Sequence, residues 1–176
     1  MENQTTSSKS IMINNGLILG LISILISVTV YALGKTYDQH WSVGVISFLI
    51  MVAIIVMGIK KFKASNGGYL SLGEAIKIGL GIALISGIIS VAYTYVFTSF
   101  IEPDFFINLA QVQEQKWIDQ GLTDEQIEGA KVMMDKMSNP MMTAGFTVIG
   151  SLFFGFIISL ISGAVMKEKN EEVTSI

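Results

Sequence analysis

The chain has 176 residues, a net charge of −3 and no cysteine, and 51% of its residues are hydrophobic whereas only 14% are charged. Typical soluble domains carry about 25% charged residues, so this composition favours a membrane protein over a soluble one. All 11 basic residues are lysine; the lack of arginine argues against nucleic-acid binding, and the lack of cysteine excludes disulfides, thiolate metal sites and cysteine nucleophiles.

Four apolar segments are long enough to cross a bilayer, whose hydrocarbon core of about 30 Å requires roughly 20 residues of helix. They are expected at about residues 14–34, 41–59, 76–101 and 140–166. The short polar link KTYDQH joins the first two into a hairpin, and Asn139-Pro140 supplies a polar cap and a first-turn proline for the fourth. The sequence therefore predicts an all-α polytopic membrane protein with a single membrane domain over residues 1–176.

Lysine placement predicts the orientation, because cytoplasmic loops of membrane proteins are enriched in positive residues. The link KKFKASNGG after the second span carries three lysines, and the tail carries Lys167 and Lys169, whereas the first link carries only Lys35. Both termini are therefore expected in the cytoplasm. An alternative is removal of the first span as a signal sequence, since Val30-Tyr31-Ala32 loosely matches a cleavage site, although the apolar run is long for that role.

An ionisable pair, Glu74 and Lys77, lies at the start of the third apolar segment. The run from Leu70 to Ile101 has 32 residues, about 48 Å as a helix, so it must extend beyond the hydrocarbon core. The helix face that carries the pair and Gly81 is expected to look outward at the cytoplasmic interface, where the two charges can also pair with each other. The alternative is a proton or ion site inside the bundle.

Small residues form stripes on three of the four predicted spans. In lipid no hydrophobic force brings helices together, so their contact depends on close approach of the backbones at small residues. Gly16 and Gly20 begin a stripe in the first span. The candidate contact residues of the third and fourth spans are Gly79, Ala83, Gly87, Ser151, Gly155, Ser159 and Gly163. These stripes predict packing within one bundle, with an oligomer interface as the alternative.

The segment 102–139 is the only sizeable aqueous stretch, and its eight acids against three lysines give it a charge of −5. The pattern predicts one helix that begins at Pro103 and stops at Gly121. Thr123 and Gln126 form a capping box for a second helix. We expect an extracytoplasmic helical hairpin that folds onto the outer mouth of the bundle or lies along the membrane surface.

This loop offers two metal-binding hypotheses, and neither is favoured. Its acids lack the D-x-D-x-D-G spacing of an EF-hand and lie on solvated faces. Thioethers are soft ligands that favour Cu(I), but methionine is more often a filler of irregular apolar contacts. The methionines concerned are Met133, Met134, Met137, Met141 and Met142.

Catalytic constellations are missing from the sequence. The single histidine, His40, lies beside Trp41, so neither a triad nor an H-E-x-x-H site is available, and an interfacial aromatic belt explains it better. No ionisable group lies deep in a span, which removes the usual relay of a proton-coupled carrier. We therefore expect no enzyme activity and no cofactor. A pore lined by serine, threonine, Tyr93 and Tyr95 is an alternative that would require oligomerisation.

The layout of several segments is distinctive, above all the GG-x-x-S-x-GEA-x-K start of the third span and the acidic helical loop QGLTDEQIEGA. The start consists of Gly67, Gly68, Ser71, Gly73, Glu74, Ala75 and Lys77. From about Gly16 to Lys169 the chain resembles a bacterial membrane-protein family catalogued as a domain of unknown function, number 4199. The resemblance implies four spans in a bacterial inner membrane and supplies no activity.

Together these observations favour a non-enzymatic integral membrane protein that acts as a structural, interaction or accessory component through its helix contacts and acidic outer loop. Its expected partners are membrane lipid and either a second copy of the chain or another membrane protein. The alternative is a small transporter or channel subunit assembled as a homo-oligomer.

Overall fold

The computed structural model describes residues 7–168, apart from the side chain of Met137. Every regular element in this range is a helix. The elements are α1 (Ser8–Ala32), α2 (Trp41–Ser65), α3 (Leu72–Val96) with a π-helical turn (Phe97–Ile101), α4 (Phe105–Asp119), α5 (Asp124–Met137) and α6 (Pro140–Met166). Four of them are long and apolar enough to cross a membrane: α1, α2, α3 with its π-helical turn, and α6. The predicted all-α class with four spans is confirmed.

The helix starts follow local capping chemistry. The side chain of Asn139 accepts hydrogen bonds from the backbone N–H groups of Met141 and Met142, and Pro140 occupies the first turn of α6. The predicted capping box of α5 is also confirmed, since Thr123 and Gln126 bond to each other's backbone N–H groups. Such reciprocal bonds satisfy N–H groups that have no partner inside the helix.

Three of the spanning helices are longer than predicted, the third because it begins at Leu72 rather than near residue 76. α1 begins at Ser8 rather than near residue 14, and α2 continues to Ser65 through the lysines assigned to the link. Lysine is a good helix former whose long side chain can keep its charge in water, so a helix can leave the hydrocarbon without ending. The turn that follows uses Gly67 and Gly68, whose φ angles of 67° and 90° favour glycine.

The third span departs from a single regular helix. Its last turn, Phe97–Ile101, is π-helical, and the backbone N–H of Glu102 donates to the carbonyl of Phe97 at 2.8 Å. The wider turn buries the Phe97 ring, which meets Tyr31 and Phe105 edge-to-face at centroid distances of 5.2 and 5.6 Å. Single π-helical turns of this kind are often found at functional sites.

α3 is the central helix of the bundle, with its most extensive contacts made to α6 on one side and α1 on the other. α2 contacts α1, α3 and α6. We call one end of the bundle the lysine end, because Lys60, Lys61, Lys63 and Lys167 lie there, and the opposite end, which carries α4 and α5, the acidic end. The core of fully buried isoleucines fills the half of the bundle nearer the lysine end: Ile11, Ile55, Ile59, Ile78 and Ile82.

Contacts at the lysine end join the α2–α3 link to the end of α6. Leu70 and Glu168 exchange two backbone hydrogen bonds of 3.0 and 2.9 Å. The Lys63 ammonium donates to the Met166 carbonyl at 3.0 Å and to the Glu168 carboxylate at 2.6 Å. The ammonium lowers the pKa of Glu168 below 4.5 by hydrogen bonding and by charge attraction. Lys169, on which the orientation argument also drew, lies outside the described residues.

Candidate functional site

The seven small candidate residues lie along the seam between α3 and α6. A methyl group built on Gly155 would stand 2.5 Å from the Cβ of Ala83, and one built on Gly87 would stand 2.5 Å from the hydroxyl of Ser151. Gly79 faces Ser159 in the same way, and Gly163 faces the Cβ of Ala75 at 2.6 Å. Since each of these contacts sets a glycine against a small side chain, the two backbones approach closely within one chain.

A second small-residue contact joins α1 to α3. Side chains Ile85 and Ile89 of α3 lie against Gly16 and Gly20 of α1, where an added methyl would meet them at 2.6 and 2.7 Å. Gly81 lies against Met12 of α1. The expectation that the Gly81 face of α3 looks outward is therefore wrong, because a central helix packs on two sides rather than one.

The carboxylate of Glu74 caps α3. One of its oxygens accepts hydrogen bonds of 2.8 Å from both the backbone N–H and the hydroxyl of Ser71, and the Ser71 hydroxyl accepts from the Glu74 N–H. Lys77 is exposed, and these two described residues form no ion pair with each other. The sequence contains the signal for this role, since S-x-x-E before an apolar run is a capping box. The sequence analysis considered only the pairing of Glu74 with Lys77 and did not predict the cap.

A polar network lies at the acidic end, centred on Tyr37 in the link between α1 and α2. The Tyr37 hydroxyl donates to the Glu102 carboxylate at 2.9 Å, and the Asn108 amide donates to both groups at 3.3 Å. Lys116 of α4 reaches the Tyr37 carbonyl at 3.4 Å and Asp38 at 3.7 Å. Burial, and then the nearby Glu102 carboxylate, raise the pKa of Tyr37 above 10.0, while the Asn108 hydrogen bond acts in the opposite direction.

Aromatic contacts reinforce this network and hold α4 against the bundle. The Phe105 ring stacks on Tyr37 at a centroid distance of 5.8 Å and meets the buried Phe97 edge-to-face. α5 contacts both α4 and α6, and Lys131 pairs with Glu114 of α4 at 2.7 Å. The outward side of α5 carries exposed carboxylates, namely those of Asp124, Glu125, Glu128 and Asp135.

An apolar groove of about 500 Å³ separates the α4–α5 pair from the first turns of α6. Met133 and Met134 line it together with Phe106, Trp117 and Phe146. Met141 is 84% exposed and is absent from this lining. The methionines of the loop thus lie in different surroundings, two of them among apolar contacts, and within residues 7–168 no group of three His, Cys, Asp or Glu residues is arranged to hold a metal ion.

A second cavity, of about 290 Å³, is half open to the outside of the bundle and is lined by hydroxyl groups of the four spanning helices. We call it the hydroxyl cavity. All four helices contribute to it, α1 and α2 with one hydroxyl each and α3 and α6 with two each. Its hydroxyls are those of Ser23, Ser47, Ser86, Ser90, Thr147 and Ser151. The cavity therefore lies within the part of the bundle that crosses the membrane, on the acidic-end side of the isoleucine core.

One further polar group lies on the same face of α3. Tyr93 follows Ser86 and Ser90 at helical spacing, and its ring lies 5.8 Å from that of Phe97. Its hydroxyl is the one buried side-chain polar atom without a hydrogen-bond partner in the part of the chain that the structure describes. The serines of α1 and α2 were not singled out as cavity residues by sequence reasoning, because nothing local shows that their faces converge.

Three features define an integral membrane protein of the four-helix type. The chain has four long apolar helices and a seam of small residues, and many of its large apolar side chains are about 60% exposed, for example those of Leu25, Met57 and Ile161. Residues 14–168 match the family described as "Protein of unknown function (DUF4199)", and the chain belongs to that family. Neither a curated protein nor a solved structure matches the chain. The resemblance stated from the sequence is thus confirmed.

Proposed function

We propose that this protein is a non-enzymatic accessory component of a membrane complex, and that its α4–α5 pair binds a basic segment of another membrane protein. The observation that carries the proposal is the fixed attachment of an acidic surface. Hydrogen bonds and ring contacts attach α4 to the bundle, and they involve Tyr37, Glu102, Asn108 and Phe105. α5 pairs with α4 through Lys131 and Glu114 at 2.7 Å and also contacts α6, which places its carboxylates at the acidic end of the bundle.

Charge complementarity points to the kind of partner. The 102–139 segment has a charge of −5, and a second copy of the same surface would be repelled. A lysine- or arginine-rich segment on the same side of the membrane would be attracted, and such fields raise association rates and exclude wrong partners. Lipid would cover the remaining exposed apolar side chains of the four spans.

The proposal includes an orientation and a location. Lys60, Lys61, Lys63 and Lys167 gather at one end of the bundle, which favours placing that end in the cytoplasm. The acidic end then faces outward from the inner membrane of a bacterium, and both termini lie in the cytoplasm. Accessibility of a cysteine introduced at Glu125 to an impermeant reagent in intact cells tests this orientation, because the natural chain has no cysteine.

The test of the function is the mass of the complex isolated in nanodiscs at native abundance. We expect a defined second protein, and we expect the variant Glu125→Lys/Glu128→Lys to bind it at least tenfold more weakly, a factor that corresponds to about 1.4 kcal/mol. The matched control Glu125→Asp/Glu128→Asp keeps both charges and should retain the partner. Isolation of this chain alone would contradict the accessory role. Undiminished binding by the lysine variant would contradict the α4–α5 pair as the binding surface.

The hydroxyl cavity supports a second candidate, a small transporter or channel subunit that works as a homo-oligomer. Hydroxyls from all four spanning helices converge on this cavity, and a polar cavity within the membrane is the kind of place where a solute pathway is found. A symmetric homo-oligomer without other chains, together with solute flux in liposomes, would favour this candidate. A monomer that supports no flux would exclude it.

A further inference from the structure

The hydroxyl cavity presents mainly hydrogen-bond acceptors. Four of its six hydroxyls donate their proton to a backbone carbonyl of their own helix, at 2.8–2.9 Å, and so offer only oxygen lone pairs to the cavity. These bonds run from Ser23 to Leu19, from Ser47 to Val43, from Thr147 to Thr143 and from Ser151 to Val148. A molecule that donates several hydrogen bonds would therefore find several partners in one small space.

Two hydroxyls of the cavity remain without a partner. Ser86 is only 7% exposed, and among the described residues neither its hydroxyl nor that of Ser90 has a hydrogen-bond partner. A serine inside a helix usually donates to a carbonyl one turn earlier, and neither of these two hydroxyls does so. Ser86 and Ser90 thus keep both a donor and acceptors free toward the cavity.

The surroundings restrict the ligand to uncharged molecules. The rest of the lining is apolar or glycine, and it includes Leu19 of α1, Met51 of α2 and the edge-to-face pair of Phe48 and Phe154. Among the residues that the structure describes, no ionisable side chain lines the cavity, so a charged ligand would lose its hydration without compensation. A volume of about 290 Å³ is that of roughly ten water molecules at about 30 Å³ each.

We infer that the hydroxyl cavity is a binding site for a small uncharged polyol, a molecule with several hydroxyl groups on a short carbon chain. Its hydroxyls donate to the lone pairs of the four hydroxyls on α1, α2 and α6 and bond to Ser86 and Ser90 of α3, while its carbon atoms contact the apolar walls. The inference does not depend on the accessory role. It rests on the same cavity as the second candidate function, for which it names the solute class.

Single-cysteine variants with glycerol as the probe test this site, because the chain has no cysteine of its own. Ser86→Cys and Ser90→Cys each place one thiol in the cavity with little change of volume. The full chain in nanodiscs is treated with methyl methanethiosulfonate, a small uncharged thiol reagent. We expect both thiols to react, and glycerol to slow each reaction by the factor 1 + [glycerol]/Kd, about elevenfold at ten times Kd.

Two further variants serve as controls. Leu84→Cys lies on the lipid-facing side of α3 near the same depth, and its thiol should react slowly, since a thiol surrounded by hydrocarbon does not ionise. Glu125→Cys is exposed on α5 and should react at a rate that glycerol leaves unchanged.

Two results would overturn the inference. If glycerol slows the cavity thiols no more than the Glu125→Cys thiol, the cavity takes up only water. If both cavity thiols are as unreactive as the Leu84→Cys thiol, solutes do not reach the cavity. Either result leaves the complex with a second protein untouched, so the accessory role and the polyol site can fail separately.

Discussion

The substitution Gly155→Ala tests whether the α3–α6 seam holds the bundle together. Its methyl group would stand 2.5 Å from the Cβ of Ala83 and 3.4 Å from the carbonyl oxygen of Gly79. Carbon atoms in contact prefer separations of about 3.5–4.0 Å, so the two helices must move apart by roughly 1 Å. The Ala83 Cβ is attached directly to the backbone and cannot turn aside. We expect a loss of about 1–3 kcal/mol in the free energy of unfolding, the usual cost of overpacking.

A matched control exists on the same helix. Gly150 has no neighbour within 4 Å of an added methyl, so Gly150→Ala should leave stability unchanged or raise it by up to about 1 kcal/mol, the difference in helix propensity. A second control is the double variant Gly155→Ala/Ala83→Gly, which moves the methyl group from one helix to the other. At position 83 the atom nearest to the new methyl is then the Cα, at 3.9 Å. The double variant should therefore recover about 1 kcal/mol or more relative to the sum of the single changes.

The assay is reversible unfolding in mixed micelles as the fraction of denaturing detergent is raised, followed by tryptophan fluorescence and near-UV circular dichroism. Coincidence of the two transitions checks that unfolding is two-state. If Gly155→Ala were as harmless as Gly150→Ala, or if the double variant recovered nothing, the close backbone approach at this seam would not be what stabilises the bundle.

Three shorter predictions concern side chains at the two ends of the bundle. Glu74→Ala should cost more than Lys77→Met in the same unfolding assay, about 0.5–1.5 kcal/mol against almost nothing, because only the first removes the side-chain oxygen that accepts hydrogen bonds from Ser71. The pKa of Glu168 is lowered in the folded state, so its stabilising effect is fully present above pH 4.5 and is lost as pH falls through the folded pKa. Between pH 3 and 6 the free energy of unfolding should therefore depend less on pH in Glu168→Gln than in the natural protein. Tyr37→Phe keeps the ring stacking but removes the hydrogen bond to Glu102, so the amide hydrogens of α4 should exchange faster while those of α3 do not. Equal exchange in the variant and the natural protein would show that the Tyr37 hydroxyl does not help to hold α4.

Local signals account for the helix boundaries that sequence reasoning predicted correctly. The caps at Asn139 and Thr123 act within four residues of themselves, so they can be recognised without knowledge of the fold. The Ser71–Glu74 capping box has an equally local signal, the spacing of the two residues, but the sequence analysis considered only the charge of Glu74. The π-helical turn at the end of α3 had no comparable signal, since its burial depends on rings from α1 and α4.

The candidate sites divide in the same way. The small residues of α3 and α6 were found in the sequence as stripes, because helical spacing alone brings them to one face. The hydroxyl cavity was not found, since its six hydroxyls lie between residues 23 and 151 on four helices. Ser23 and Ser47 become cavity residues only through the rotation of α1 and α2 about their own axes.

The amino-acid sequence by itself determined that this chain forms four membrane-spanning helices, because transfer of a segment into lipid depends on the length and composition of that segment alone. Only the tertiary structure decided that α3 lies between α1 and α6, and that Gly81 packs against Met12 instead of facing outward. Once helices are in lipid, apolar surface no longer distinguishes one neighbour from another. Their arrangement then depends on the fit of individual atoms, such as the Cβ of Ala83 against the bare backbone of Gly155.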